Sequence, residues 1–465
     1  MASLSLAVLM ACGLTLVALE EAEVSAQTPQ KPNIVFILAD DMRYDDFSYM
    51  PKTRALIGSQ GATFSRAYVP LGICCPSRAS ILTGMYTHNH KVWFNENGAN
   101  GGWQGFKSQG HERDNLATRL RGAGYRTGLF GKYLNDYDGS SVPRGWDDWF
   151  GKYEGYYYNW GANDNGTKVH YGRAEDYYST DVIAGEARHF VGASVSAGKP
   201  FFAYVSPVAP HEPSTPAARD LREFDGEQGP RLPSFNEADV SDKPSFVRAR
   251  SRLSGRAVAA IDNLHENRVE SLQALDDLVE SLIGELADQG VLDNPYVVFT
   301  SDNGWHHGEH RIPDRKHKVY EESIHVPLAI RGPSLSAGTT TDKLALNTDF
   351  FYPTFADLGD ATASSKVDGR SLLPVLEGTA TSWRSAVLLE KRHKTREGQS
   401  FFGILTREPK KYAEYRNGER ELYDLGKDPH ELSNTYSGRP PADLKARLED
   451  LRRCAGATCR SAEGG

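Results

Sequence analysis

Continuous apolar runs that end in polar residues are the feature that most constrains how this chain can fold. Residues 34–38 are wholly apolar, residues 296–300 are apolar except for Thr300, and acidic residues follow both runs. Residues 127–130 and 201–205 form two further runs of this kind. An apolar run of this length is typical of a strand that is buried on both faces. The runs therefore predict a sheet that is covered on both sides.

Helical stretches separate these runs. The clearest one carries apolar residues at helical spacing through residues 269–286 and is followed by Gly290, a residue that commonly ends helices. The alternation of strands and helices predicts an α/β fold with a large, mostly parallel sheet covered by helices on both faces. Ligands collect at the carboxyl ends of the strands in such sheets, and the polar clusters of this chain follow its predicted strands.

The chain is expected to contain one large domain and one small domain. Its 465 residues suit this division better than three independent units. After residue 382 the sequence changes to short segments such as residues 400–405 and 421–425. We therefore predict a catalytic domain at residues 27–382 and a smaller C-terminal α+β domain with an antiparallel sheet at residues 383–465.

The first residues have the pattern of a signal peptide, which we place at residues 1–26. Residues 4–19 form an apolar run that is too short to span a bilayer comfortably, and residues 24–26 resemble a cleavage site. We expect no stable membrane span and an exported protein that is secreted, periplasmic or lumenal. A lipoprotein anchor at Cys12 is the alternative.

Two polar pairs follow distant strands and supply oxygen ligands alone. Asp40 and Asp41 follow the first apolar run, and Asp302 and Asn303 follow the run at residues 296–300. Such ligands suit Ca²⁺ or Mg²⁺ and disfavour zinc. Each pair alone could be a solvated turn. Three carboxylates gathered at one place would repel one another, so a bound divalent cation is expected.

Residues 74–84 carry the motif that bears most directly on function. Cys74 and Cys75 precede Pro76, which suits the first position of a helix, so Cys74 is expected at a helix N-terminus that attracts anions. Arg78 adds a permanent planar cation one turn later. The two cysteines alone would fit a buried pair, a strained disulfide or half of a metal site.

The complete motif matches the signature on which sulfatases oxidise a cysteine to formylglycine. From Asn33 to about Asn434 the chain resembles the formylglycine-dependent sulfatases of the alkaline phosphatase superfamily. Further segments match other motifs of this family: residues 124–132, 209–213, 301–304 and 316–327. Residues 88–90 and 131–135 most resemble the N-acetylglucosamine-6-sulfatases and their endo-acting heparan relatives, whose long basic insertion is absent.

The resemblance implies a separate role for each of the site residues. Cys74, converted by a formylglycine-generating enzyme, would supply a hydrated aldehyde that attacks sulfur and later expels sulfate, while Ca²⁺, or Mg²⁺, polarises the sulfate oxygens. The implied metal ligands are Asp40, Asp41, residue 74, Asp302 and Asn303. The implied catalytic and substrate-binding groups are Cys74, Arg78, Lys132, His211 and Lys316. Either His211 or Lys316 would protonate the departing alcohol.

One departure from the family pattern concerns the base that triggers sulfate release. Many arylsulfatases carry a histidine two residues after the second-motif lysine, and Leu134 occupies that place here. His306 is our first candidate for the base and His211 is the second. Lys318 competes with Lys316 for the lysine position, although the offset of Lys316 from Tyr320 matches the family better.

The expected substrate is a sulfated carbohydrate or an aryl sulfate, with glucosamine 6-sulfate of glycosaminoglycans as a plausible case. A phosphoester or phosphonate ester hydrolase of the same superfamily is one alternative, and a non-catalytic protein that binds sulfated glycans is another. A net charge of −8 without a long run of lysine or arginine argues against nucleic acid and membrane surfaces as partners.

The last two cysteines, Cys454 and Cys459, lie close together near the C-terminus. In an exported protein they are expected to form a small disulfide loop, and the alternative is two free thiols.

Overall fold

The structure is a computed structural model that describes residues 31–313, 316–350, 352–362 and 364–464. From Lys31 onward the chain forms one compact unit. The predicted signal peptide and Cys12 lie outside the described residues, and the domain boundary at residues 382 and 383 stays a prediction. Within the described ranges, no helix is both long enough and apolar enough to cross a bilayer.

The strands of the described part of the chain are β1 (Ile34–Ala39), β2 (Ala62–Phe64), β3 (Ala67–Tyr68), β4 (Arg126–Lys132), β5 (Asp148–Glu154), β6 (Trp160–Asp164), β7 (Thr167–Tyr171), β8 (Phe201–Ser206), β9 (Tyr296–Ser301), β10 (Leu328–Arg331), β11 (Thr339–Thr341), β12 (Ala345–Leu346), β13 (Ala386–Lys391), β14 (Phe401–Thr406), β15 (Lys410–Tyr415) and β16 (Arg420–Asp424). The four apolar runs in the sequence correspond to β1, β4, β8 and β9. The α-helices are α1 (Pro51–Thr53), α2 (Cys74–Thr83), α3 (Thr87–His90), α4 (Gly102–Ser108), α5 (Leu116–Gly122), α6 (Ser179–Ser196), α7 (Ser245–Arg248), α8 (Gly255–Asp288), α9 (Glu321–Ile324), α10 (Asn347–Phe350), α11 (Tyr352–Leu358), α12 (Leu373–Leu376), α13 (Ala442–Leu451) and α14 (Ala457–Ala462).

The large sheet has the strand order β11-β2-β10-β9-β1-β8-β4-β5-β6-β7. Its centre is parallel. Strand β1 pairs in parallel with both β9 and β8, and β4 pairs in parallel with both β8 and β5. Antiparallel strands flank this centre, with β10 on one side and β6 and β7 on the other. The predicted α/β fold with a mostly parallel sheet is confirmed.

Strand β1 shows why the sheet is covered on both faces. Its residues are all buried, and alternate side chains enter different cores. Phe36 and Leu38 belong to the core that contains residues of α2, α5 and α11. Val35 and Ile37 belong to the core that contains residues of α6 and α8.

Helix α8 is the long helix that the apolar stripe predicted, although it begins earlier than that stripe. The Ser254 side chain accepts a hydrogen bond from the backbone N–H of Ala257, which caps the helix N-terminus. Leu272, Leu275 and Leu278 pack into the core on one face of the sheet. Between Ser214 and Ser254 the chain is mainly turns and irregular segments, as the polar composition of that region suggests.

A separate antiparallel sheet lies near the C-terminus, as predicted. Its strand order is β13-β14-β15-β16, and all its pairings are antiparallel. Helix α13 packs beside it through Leu444, Leu448 and Leu451, which share one core with β13 and β14. Cys454 is joined to Cys459 by a disulfide bond just after this helix.

Candidate active site

The carboxyl ends of the parallel strands meet at one edge of the sheet and gather the polar residues found in the sequence. Ala39 of β1 is in register with Ser301 of β9, so the residues that follow both strands lie side by side. Gly131 near the end of β4 is in register with Ser206 at the end of β8, which brings Lys132 to the same edge. Strand topology therefore brings together Asp41 and Asn303, which are 262 positions apart in the chain.

Cys74 is the first residue of α2 and is completely buried. The helix begins two residues before Pro76, so the expectation that Pro76 occupies the first helical position is wrong. Proline is tolerated there because the first-turn N–H groups need no helical partner. The neighbouring Cys75 N–H donates instead to the Asn95 side chain at 2.9 Å. Because Cys74 is in the first turn, its side chain lies at the positive end of the helix dipole.

Two charged residues contact the Cys74 sulfur. Lys316 Nζ donates to Cys74 Sγ at 2.7 Å, and Asp41 Oδ1 lies 3.5 Å from the same atom. Burial and the Asp41 carboxylate raise the pKa of the Cys74 thiol, although Lys132 and Lys316 oppose this shift. The cysteine is therefore held as a protonated thiol, which is a poor nucleophile in this form.

Asp41 lies at the centre of the acidic group, which comprises Asp40, Asp41, Asp302 and Asn303. Its φ of 68° is in the left-handed region that few non-glycine residues adopt. Its backbone N–H donates to Asp302 Oδ1 at 3.0 Å, and Asn303 Nδ2 donates to Asp41 Oδ1 at 2.8 Å. The turn after β1 is thus locked against the turn after β9.

Three oxygens of this group have no hydrogen-bond partner among the described residues, although they are buried. They are Asp40 Oδ1, Asp41 Oδ2 and Asn303 Oδ1. Buried oxygens without partners are costly unless a ligand satisfies them. Asp40, Asp41, Cys74 and His211 also place ligand atoms within 4.8 Å of one another. The unpartnered donors are carboxylate and amide oxygens, the ligand type that hard divalent cations prefer.

Arg78 anchors the cationic side of the site. Its Nε donates to Asp302 Oδ2 at 2.7 Å, and one terminal nitrogen donates to Ser206 Oγ at 2.8 Å. The other terminal nitrogen lies 3.7 Å from Asp40 Oδ1 and has no hydrogen-bond partner within the described residues. This nitrogen is available to an anionic ligand.

Two lysines complete the charge pattern. Lys132 donates to Asp40, and Lys316 donates to Asp41. Burial alone would raise the pKa of Asp40, but Lys132, His211 and Arg78 hold it well below its usual range. The pKa of Asp41 is also lowered, because Lys316 and His211 outweigh the effect of burial. Both carboxylates are therefore ionised and ready to bind a cation.

His211 lies at the open side of the cluster. Its Nε2 is 3.7 Å from Asp41 Oδ2, and its side chain retains 22% exposure. Nδ1 lies 2.5 Å from the Glu212 carbonyl oxygen, and Tyr157 donates its hydroxyl to the His211 carbonyl. The imidazole is thus oriented by its own loop and reaches both the acidic group and solvent.

His306, the first candidate for the base, lies in a different environment. It is completely buried, and its described contacts are with Glu309, 3.9 Å away, and with the Tyr320 ring. Burial and the charge of His310 lower the pKa of His306 well below its usual value. These contacts give no support to the predicted role of His306, and they leave His211 as the better-placed histidine. The side chain of Lys318 is also directed to a different partner from that of Lys316, because its Nζ donates to Gln399 Oε1 at 3.0 Å.

Sequence analysis missed Arg268, which supports the acidic turn from helix α8. One terminal nitrogen of Arg268 donates to the Asp41 carbonyl at 2.6 Å and to Asp46 Oδ2 at 3.0 Å. A signal was present in the sequence, because Arg268 occupies the same helical stripe as Leu272 and Leu275. A charged residue on an otherwise apolar stripe points to a buried partner.

Comparison with known proteins identifies the family of this chain. Residues 32–361 match the family described as Sulfatase, and residues 308–454 match the family described as N-sulphoglucosamine sulphohydrolase, C-terminal. The N-acetylglucosamine-6-sulfatase of Capra hircus is 34% identical over 489 residues, an alignment that covers 94% of this chain and 86% of that protein.

Two further proteins extend the comparison. The extracellular sulfatase SULF-1 homolog of Drosophila melanogaster is 37% identical over 382 residues, which cover 79% of this chain and 34% of that protein. The solved structure of BT4656 in complex with its substrate D-glucosamine-2-N,6-O-disulfate superposes with a TM-score of 0.78 at 24% identity. That match covers 94% of this chain and 100% of BT4656 and shows a shared fold. The protein therefore belongs to the sulfatase family, whose members hydrolyse sulfuric esters.

Proposed function

We propose that this protein is a formylglycine-dependent sulfatase that removes 6-O-sulfate from glucosamine residues of sulfated carbohydrates. The observation that carries the proposal is the position of Cys74, at the first turn of α2 and in contact with Asp41 and Lys316. Conversion of this residue to formylglycine would supply a hydrated aldehyde as the attacking oxygen nucleophile. A buried, protonated thiol would not serve as the nucleophile itself.

A divalent cation fits the acidic group, and we propose Ca²⁺ or Mg²⁺. The unpartnered oxygens of Asp40, Asp41 and Asn303 support this choice. Asp302 and residue 74 would complete the ligand set. Burial and the neighbouring Asp40 raise the pKa of Asp302, and a bound cation would oppose both effects. The bound ion would act as a Lewis acid on the sulfate oxygens.

The cationic residues would bind the sulfate group. Arg78, Lys132 and Lys316 surround residue 74, and each already bonds to a carboxylate of the cluster. A fixed array of cations around the reacting sulfur stabilises the charge of the equatorial oxygens in the transition state.

His211 is the proposed proton donor for the leaving alcohol, and in the return step the proposed base. We expect His211→Gln to lower kcat on a glucosamine 6-sulfate about a hundredfold or more, because an alkoxide leaves poorly without a proton. On an aryl sulfate, whose phenolate leaves readily, the loss in kcat/KM should be at least tenfold smaller than on the sugar sulfate. The comparison uses kcat/KM because this constant reports the steps up to departure of the alcohol and does not include sulfate release.

His306 provides the matched comparison. His306→Gln replaces a second histidine that contacts Glu309 and Tyr320 rather than the Cys74 cluster. Rapid-mixing kinetics should show sulfate release slowed by the change at position 211 and not by the change at position 306. The reverse result would restore His306 as the base. Equal losses of kcat/KM on the sugar and aryl substrates would remove the acid role from His211.

The choice of substrate rests on the relatives. The N-acetylglucosamine-6-sulfatase of Capra hircus aligns with nearly the whole chain, and the substrate of BT4656 is a 6-O-sulfated glucosamine. The test is turnover of N-acetylglucosamine 6-sulfate beside the 3-sulfate isomer, an aryl sulfate and the matching phosphate ester. A clear preference for the 6-sulfate supports the proposal, whereas turnover of the aryl sulfate alone would contradict its sugar specificity.

We also propose that the protein acts outside the cytoplasm. Its relatives include an extracellular sulfatase, and the Cys454–Cys459 disulfide suits an oxidising compartment. The predicted signal peptide would direct this export.

A further inference from the structure

One lysine beside the proposed active site has no role in the mechanism described above. Lys152 belongs to β5, which pairs in parallel with β4, and its register partner is Lys132. Register partners on adjacent strands place their side chains on the same face of a sheet. Lys152 therefore lies on the same face of the sheet as one of the sulfate-binding lysines.

Lys152 differs from the neighbouring cations in its charged partners. Lys132, Arg78 and Lys316 each have a carboxylate partner in the cluster, whereas Lys152 has no salt bridge within the described residues. Burial and the neighbouring Lys132 lower the pKa of Lys152 to about 8. The group still carries a proton at neutral pH, and an anion placed beside it would be stabilised.

The position of Lys152 links it to His211 through one aromatic ring. Lys152 Nζ lies 5.1 Å from the centroid of the Tyr156 ring. The same ring stacks on His211 with centroids 5.5 Å apart and an angle of 16° between the planes. A cation over an exposed tyrosine makes a weak contact, and Tyr156 is 46% exposed, so this contact leaves the ammonium free to bind a stronger partner.

Tyr156 also borders a cavity. Its volume is about 410 Å³, and it is lined by Tyr156, Arg173 and Pro213 among others, whereas Lys152 and His211 do not line it. Aromatic rings beside cationic side chains suit a charged sugar, since the ring packs against the apolar face of the sugar and the cation binds its anionic substituent. The register of the β5–β6 pairing shifts between Lys152 and Glu154. Irregularities of this kind next to active sites commonly redirect side chains.

We propose that Lys152 is a specificity-determining residue that binds a second anionic group of the substrate, beside the sulfate that is hydrolysed, with Tyr156 packing against the sugar. The inference rests on the proposed function, because it takes a sulfated sugar as the substrate. The second anion is a sulfate on the same sugar or a carboxylate on the neighbouring one. Lys152 is thereby distinguished from Arg78, Lys132 and Lys316, which surround the reacting sulfate.

The test compares binding of ligands that differ in one charge. Calorimetry is performed in a Cys74→Ala background, so that no ligand is consumed. The ligands are N-acetylglucosamine 6-sulfate, D-glucosamine-2-N,6-O-disulfate, and a disaccharide that joins a uronic acid to the 6-sulfated sugar. Lys152→Gln should weaken at least one doubly charged ligand about tenfold, the usual loss for one charge-assisted hydrogen bond, and the singly charged ligand less than twofold.

Two further variants make the result specific. Lys152→Arg keeps the cation and should restore most of the lost affinity. Lys168→Gln is the matched control, because Lys168 Nζ also lies over a tyrosine ring, that of Tyr153 at 4.6 Å, and bonds to the Asp138 carbonyl away from the cluster. It should leave all three affinities unchanged.

The outcomes separate this inference from the proposed function. A loss of affinity confined to the disulfate places the second anion on the same sugar. A loss of affinity confined to the disaccharide places it on the neighbouring sugar. Equal weakening of all ligands, or no weakening, overturns the role of Lys152. Turnover of the same sugars by the enzyme with residue 74 intact is measured separately, so a failure there rejects the proposed substrate without deciding the binding result.

Discussion

Cys74→Ala is expected to abolish sulfatase activity, with a loss of about a thousandfold or more in kcat. The replacement removes the side chain that would become the nucleophile, and the remaining cations can bind sulfate but cannot attack it. Because Cys74 is completely buried and small, the change to alanine should leave the fold intact. Turnover of an aryl sulfate and of N-acetylglucosamine 6-sulfate, together with circular dichroism, measures both expectations.

The adjacent cysteine provides a matched control. Cys75 is also completely buried, belongs to the same first turn of α2 and packs in the core on one side of the sheet. Cys75→Ala should cost about 1 kcal/mol of stability and leave kcat within about threefold. If both variants retain activity, residue 74 is not the nucleophile. If both lose activity equally, a local packing defect explains the loss instead.

Asp302→Asn is expected to have the second largest effect. Asp302 Oδ1 accepts from the Asp41 backbone, and Oδ2 accepts from Arg78 at 2.7 Å. The amide keeps the size of the side chain but removes one ligand charge and leaves Arg78 without its carboxylate. We expect affinity for Ca²⁺ to fall about a hundredfold or more, with turnover lost at ordinary metal concentrations. Calorimetry with Ca²⁺ alone provides a readout that does not depend on catalysis.

A buried aspartate outside the cluster serves as the comparison. Asp276 in α8 accepts hydrogen bonds from the backbones of Lys52 and Thr53, so Asp276→Asn disturbs a buried carboxylate without touching the site. It should lower thermal stability and leave Ca²⁺ affinity unchanged. Undiminished Ca²⁺ binding by the Asp302 variant would remove this residue from the metal site.

The sheet and most of the cluster were predictable because both follow from local patterns. Short apolar runs such as residues 34–38 favour strands of a sheet that is covered on both sides, and parallel strands then bring their carboxyl ends together. Asp40 and Asp302 could therefore be placed at one edge without knowledge of the loops. The site residues within 74–84 could be predicted because the spacing of a known motif identifies each of them.

Features that depend on packing between distant segments were not predictable. His306 follows the strand that ends near Asp302, but its loop turns the ring towards Glu309 and Tyr320. Lys152 and Tyr156 escape sequence analysis because the β5–β6 register shifts beside Lys152 and no motif marks either residue. Side-chain direction after an irregular strand depends on the local backbone rather than on the alternation of the sequence.

The chemical state of residue 74 tests the central claim most directly. The protein is produced in a host that contains the formylglycine-generating enzyme, its activity is recorded, and the tryptic peptide of residues 67–78 is read by mass spectrometry. The account predicts an aldehyde at position 74 and a thiol at position 75, with specific activity proportional to the fraction converted. Full sulfatase activity from a preparation in which residue 74 is entirely cysteine would contradict it.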